Sequence, residues 1–97
     1  MYYIDKEHAK GYLKGSMMTH LEDKLKPEVR DDKEFIMLAV KEDGYYGLRL
    51  ASDRLRDDKD VVMEAVKSNG DAIKFASKRL QNDKDILLAM KPDYDIR

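Results

Sequence analysis

The chain has 97 residues, 42% hydrophobic and 40% charged, with a net charge of −1. That length suits one domain with a modest core, and the charge balance removes the simplest case for a nonspecific nucleic-acid binder, which carries a clear cationic excess. The absence of cysteine excludes a disulfide framework, a thiol nucleophile and a thiolate zinc site.

No apolar run approaches the ~18 residues of a membrane span. The start, MYYIDKEHAK, lacks the cationic head and apolar run of a signal peptide. A soluble cytoplasmic protein is therefore expected, without a membrane among its partners.

In chain order, residues 5–25 predict an N-terminal helix or helix pair. Asp5 is placed as its cap, and Leu13, Met17, Leu21 and Leu25 form an i, i+4 stripe widened by Met18. Gly11 and Gly15 allow a break, since glycine costs about 1 kcal/mol against alanine in a helix interior. Pro27 is expected to end this element. Residues 1–29 are assigned as a cap over one open end of the structure that follows.

From residue 30 the chain repeats itself. DKEFIMLAVKEDG (32–44) pairs with DKDVVMEAVKSNG (58–70) at a shift of 26, and LRLASDRL (48–55) with IKFASKRL (73–80) at a shift of 25. The extra residue lies in YYG (45–47). A third copy opens as DKDILLAMK (83–91), and LEDKL (21–25) is a weak echo. Self-similarity at this period marks a repeat architecture in which neighbouring units bury each other's apolar faces.

Each copy reads as two short helices. Phe35, Ile36, Ala39 and Val40 recur as Val61, Val62, Ala65 and Val66, an i, i+1, i+4, i+5 set on one helical face. Gly44 and Gly70 are expected to close this helix in the left-handed conformation. The second helix carries Leu48, Ala51 and Leu55, then Ile73, Ala76 and Leu80. The predicted fold is all-α: a short stack of about two and a half αα-hairpin repeats with an N-terminal capping helix. Repeat 1 spans 30–55, repeat 2 56–80, partial repeat 3 81–91, and 92–97 is a tail beyond the helix-breaking Pro92.

The phrases RDDKE, RDDKD and QNDKD precede the three first helices. Asp31, Asp57 and Asn82 sit three residues before Glu34, Asp60 and Asp85, the spacing of a relaxed capping box. A calcium loop needs acids at alternating positions, a central glycine and a distant glutamate. These phrases have none of that arrangement, so capping is favoured and no metal site is assigned.

DKDVVMEAVKSNGDAIKFASKRLQNDKDILLAMK resembles the short repeats of domain of unknown function 4116. The correspondence covers residues 30–91, through Asp58, Lys59, Ala65, Val66, Lys67, Asn69, Gly70, Ala76, Ser77 and Leu80. The first copy departs from the pattern at Asp43 and in YYG, and the third lacks a second helix. The resemblance implies an all-helical array and supplies no catalytic residues.

No catalytic residue or cofactor is assigned. His8 and His20 are twelve residues apart, a spacing that does not place two ligands on adjacent helical turns. The glycines at 11, 15, 44, 47 and 70 are isolated, so no phosphate-cradling loop is present. Charge is more informative. Residues 31–43 carry three more anions than cations and 57–69 two more, whereas 45–56 and 71–81 each carry two more cations.

Stacked hairpins would thus have one acidic and one basic wall. The bland explanation is solvated faces whose signs serve capping and helix attraction. The functional one is a basic strip of Arg49, Arg54, Lys74, Lys78 and Arg79 facing an acidic partner or RNA. Tyr45 and Tyr46, in the hairpin turn where the second copy has Asp71 and Ala72, and Tyr94 after the third helix join this candidate set. Tyrosine favours binding hot spots, against the competing explanation that these rings merely cover an apolar edge.

The leading expectation is a non-catalytic protein-interaction module whose partner is another protein. The alternative is a nucleic-acid-associated protein using the basic wall and the tyrosines. The weakest is a small enzyme using His20. A small-molecule ligand is not expected.

Overall fold

The computed structural model describes residues 4–13, 21 and 24–89. These residues form α1 (Lys6–Lys10), α2 (Pro27–Arg30), α3 (Lys33–Glu42), α4 (Gly44–Leu50), α5 (Asp53–Arg56), α6 (Lys59–Ser68), a 3-10 helix (Gly70–Phe75), α7 (Lys78–Gln81) and α8 (Lys84–Ala89). The protein is all-helical over this range, with one isolated parallel bridge between Ile4 and Leu25. The molecule is elongated, 49 × 25 × 19 Å.

The first helix of each copy buries the predicted face. Phe35, Ile36, Ala39 and Val40 are wholly inaccessible in α3, as are Val61, Val62 and Ala65 in α6. Burying a side chain of this kind contributes about 1.5–3 kcal/mol. The two helices pack directly on one another, and α4 lies against both. A continuous core then runs from Ile4 through Leu48 and Leu55 to Leu80 and Ile86.

The second helix of each copy is broken, which corrects the two-helix reading. Helix α4 stops at Leu50, Ala51 is extended (ψ 151°), and Ser52 opens α5 by accepting a hydrogen bond from the Leu55 amide. The second copy repeats the break at Ala76 (ψ 161°) and Ser77. Serine competes with the helix by bonding the backbone locally, so Ala-Ser is a natural place to stop and restart. Each copy is therefore a long helix followed by two short ones.

The residue between the copies' alignments is absorbed by helix type. Gly47 N donates to Asp43 O (2.8 Å), the α-helical pattern, whereas Ala72 N donates to Asn69 O (2.9 Å), the 3-10 pattern. Seven residues at roughly 3.6 per turn and six at roughly 3.0 both make about two turns. Both segments end on an extended alanine.

Three smaller expectations are also corrected. The caps of the long helices are Asp32 and Asp58, one residue later than Asp31 and Asp57, and in the third copy Asp83 Oδ1 accepts from the amides of Asp85 and Ile86. Gly44 and Gly70 do not close helices but begin the next ones, because Asp43 and Asn69 end α3 and α6 in extended conformation. Gly44 is needed for closeness: a Cβ there would lie 2.1 Å from Ala65 O of α6. Pro27 starts α2 instead of ending a helix, as suits a residue whose missing amide would be unpaired in the first turn.

The N-terminal stripe is not one helix. Helix α1 ends at Lys10 with Gly11 as its C-cap, and Leu13, Leu21 and Leu25 are buried outside any described helix. Met17, Met18 and the tail 92–97 lie outside the described residues. The start shares two features with the later copies. Asp5 caps α1 by accepting from the His8 amide (3.0 Å), as Asp32 accepts from the Phe35 amide (3.0 Å). Asp5-Lys6-Glu7 thus matches Asp32-Lys33-Glu34 at a shift of 27, and Pro27–Arg30 stands where Asp53–Arg56 stands in the next copy.

Candidate interaction surface

Asp43 sets up the surface. Its carboxylate accepts from the amides of Tyr45 (3.0 Å) and Tyr46 (3.2 Å), fixing the first turn of α4. The Gly44 amide donates to Ser68 Oγ of α6 (3.0 Å), which ties that turn to the second copy. Tyr45 is consequently held against the second copy's Phe75, ring centroids 5.0 Å apart at 69°, and against Tyr46 at 5.2 Å and 85°. Edge-to-face pairs of this kind contribute ~0.5–1.5 kcal/mol beyond burial. All three rings are half-buried.

Cations cover the cluster. Lys74 Nζ lies 5.4 Å from the Tyr45 ring centre, Arg49 Cζ 6.0 Å from Tyr46, and Arg56 Cζ 5.7 Å from Phe75. Arg56 is fixed there because it donates to Ala51 O (3.2 Å) and Arg49 O (2.7 Å), carbonyls left open where α4 stops. Gln81 takes the same role after the 3-10 helix, donating to Ala76 O (3.0 Å). Beside Phe75 and Arg56 an open depression of about 370 Å³ is lined also by Asp53, Lys78 and Gln81.

Of the residues picked from the sequence, Tyr45, Tyr46, Arg49 and Lys74 come together. Lys78 lies on the rim of the neighbouring depression. Arg54 and Arg79 do not join the cluster. Arg54 Nε donates to the Asp31 carboxylate (2.9 Å) and its Nη2 to Asp31 O (2.8 Å); Arg79 does the same to Asp57 (3.1 and 2.9 Å). Ser52 and Ser77 hydroxyls complete each clamp at 2.6 Å. The Ser52 hydroxyl, and then Arg54, hold the Asp31 carboxyl below its ordinary range; Ser77 and Arg79 do so for Asp57. Arg54 and Arg79 of the expected basic strip are thus charge-paired. Tyr94 and His20 lie outside the described residues, and His8 is exposed and stacked on Tyr12 at 5.6 Å.

Sequence reasoning missed Phe75 and Arg56. Phe75 was detectable as an aromatic standing where the other copy has the buried Leu50, while Arg56 reaches the site only through a carbonyl pair that the helix break creates.

A second charged array follows the repeat. Lys6 pairs with Asp32 (3.1 Å) and Glu34, Lys33 with Asp58 (3.0 Å) and Asp60 (3.3 Å), and Lys59 with Asp83 (3.2 Å) and Asp85 (2.8 Å). Hydrogen bonds to the paired carboxylates raise the pKa of all three ammonium groups. The backbone is stitched at the same interval, Ser52 N to Arg30 O (2.9 Å) and Ser77 N to Arg56 O (3.0 Å). No group of three metal-ligating side chains occurs among the described residues, and none of their helices is long and apolar enough to cross a membrane.

This geometry meets one comparison. The model of the family described as Domain of unknown function (DUF4116) matches residues 32–81 and again 58–90, the second match starting 26 residues after the first. The chain belongs to this family. No curated protein and no solved structure is significantly similar to it.

Proposed function

We propose that the protein is a short stack of helical repeats that acts as a non-catalytic protein-interaction module. The carrying observation is the aromatic cluster of Tyr45, Tyr46 and Phe75 under Arg49, Lys74 and Arg56. It lies where two copies meet, and half-buried tyrosine flanked by arginine is the composition of a binding hot spot. Its cations suit a partner segment that presents carboxylates beside an apolar side chain.

Pairing of Arg54 and Arg79 with Asp31 and Asp57 argues against the nucleic-acid reading, because those cations no longer release phosphate counterions at full strength. The test is quantitative capture of partners from the native host, with and without nuclease, by wild type and by Tyr45→Ala/Phe75→Ala. A nuclease-resistant partner lost with the variant supports the proposal. Equal capture by both proteins removes the cluster from consideration, and a nuclease-sensitive partner whose binding falls steeply with salt would favour nucleic acid instead.

A further inference from the structure

Among the described residues the lysine ladder stops at two places, Lys84 and the pair Asp5 and Glu7. In each completed junction a lysine at the second position of one long helix phrase (Lys6, Lys33, Lys59) reaches two acids in the next phrase, at its first and third positions. Lys84 occupies the lysine position of the last phrase, is exposed, and makes no ion pair among the described residues. Asp5 and Glu7 occupy the acid positions of the first phrase. Asp5 caps α1, and among the described residues Glu7 pairs with Lys10 at 3.5 Å.

The apolar positions show the same incompleteness. Ile36 and Val62, the fifth residues of their phrases, are wholly buried; their counterpart Leu87 is 45% exposed. Met37 and Met63 are half-buried where Leu88 is 67% exposed. At the other end, Phe35, Val61 and Ile86 are wholly buried, whereas their counterpart His8 is exposed. One end thus presents a cation beside uncovered leucines, and the other presents the two carboxylates that such a cation meets at every internal junction.

We propose that a second copy of this chain completes the junction: the α8 end of one molecule docks on the α1 end of the next. Lys84 lies between Asp5 and Glu7 of the neighbour, and Leu87 and Leu88 are covered by its α1. The contact is heterologous, so it does not close on itself and adds molecules in a line as concentration rises. The proposal rests on the repeat-stack reading and is independent of the aromatic cluster.

Sedimentation velocity over rising concentration tests this with two variants. Lys84→Ala/Leu87→Ser disables the α8 end. Asp5→Asn/Glu7→Lys disables the α1 end while leaving asparagine as a good cap. Wild type should form dimers and longer species as concentration nears the order of 1 mM, and each variant should associate at least about tenfold more weakly. Mixing the two variants should restore a 1:1 dimer that grows no further, because each supplies the end the other lacks.

Circular dichroism confirms that both variants are folded before they are mixed. A wild type that stays monomeric overturns the proposal; so does association that survives both variants, or a mixture that stays monomeric. Thermal unfolding of Lys59→Ala separates the two ideas. Destabilisation there, with a monomeric wild type, leaves the stack reading standing and removes the end-to-end contact.

Discussion

Helix α4 and the 3-10 helix Gly70–Phe75 do the same job with different residue counts. Both connect an extended Asp43 or Asn69 to an extended alanine, and both end on an equivalent bond, Ala51 N to Leu48 O and Ala76 N to Ile73 O, each 3.1 Å. The longer one is sealed, with Gly47 and Leu48 buried against α3; the shorter one leaves Ile73 half-exposed. The repeat therefore keeps the number of turns and the extended alanine that follows them, not the number of residues. An insertion is harmless when helix type can absorb it and the added residue is small enough to pass the neighbouring backbone.

The most damaging way to break this comparison is at Gly47. A Cβ there would stand 2.6 Å from the backbone of Ala39 and Val40, so α4 and α3 would have to separate. Gly47→Val should cost about 4 kcal/mol, above the usual range for overpacking because backbone must move. Chemical denaturation checks it, and a loss under about 1 kcal/mol would mean that α4 is not pressed on α3 as described.

Next in size, Leu48→Ala should cost about 3 kcal/mol, since Leu48 is wholly buried, and Ile73→Ala about 1 kcal/mol, since Ile73 is not. Equal losses would contradict the asymmetry. Inserting a glycine between Ala72 and Ile73 sharpens the same point. It should lower stability by only ~1 kcal/mol, with the 3-10 helix relaxing to α, whereas inserting valine should unfold the second copy. Hydrogen exchange of the Ile73 amide reads the change of helix type.

What the sequence disclosed follows the range of the forces involved. The long helices and their buried faces were legible because Phe35, Ile36, Ala39 and Val40 recur at helical spacing, and spacing determines the face. The break before Ser52 was not: LRLASDRL keeps an apolar stripe across it, and the carbonyl clamp by Arg56 exists only once the break has formed.

Adjacent Asp31 and Asp32 both looked like caps. Only the fold assigns Asp32 to its own helix and Asp31 to Ser52 and Arg54, more than twenty residues ahead. The likeness of Asp5-Lys6-Glu7 to later phrases was written plainly but masked by the longer leucine and methionine stripe. Of the candidate surface, the tyrosines were found from the odd insertion, and Phe75 was passed over because it sat at a routine core position.

The smallest effects concern the two clamps, which should behave alike even though the helices before them differ. Ser52 Oγ accepts from the Leu55 amide and donates to Asp31; Ser77 Oγ accepts from Leu80 and donates to Asp57, with matching distances of 3.3 and 2.6 Å. Ser52→Ala and Ser77→Ala should each cost about 1 kcal/mol as lost caps. Their pH dependence carries the sharper signal. Asp31 and Asp57 have folded pKa values below their unfolded ones, chiefly through these serines and then through Arg54 and Arg79.

A depressed carboxylate contributes stability that is present above the unfolded pKa of about 3.9 and disappears as pH falls through the folded value. Lys33 and Lys59 have raised values, so their contribution is intact below about 10.4 and declines above it. Melting temperature should be flat between these limits. In Ser52→Ala/Ser77→Ala the acid decline should be smaller and level off at higher pH, because less depressed carboxylates lose less stability between the unfolded and folded pKa, while the alkaline decline stays where it was. Superimposable acid limbs for wild type and variant would mean that the two clamps contribute nothing to acid stability, despite their matched geometry.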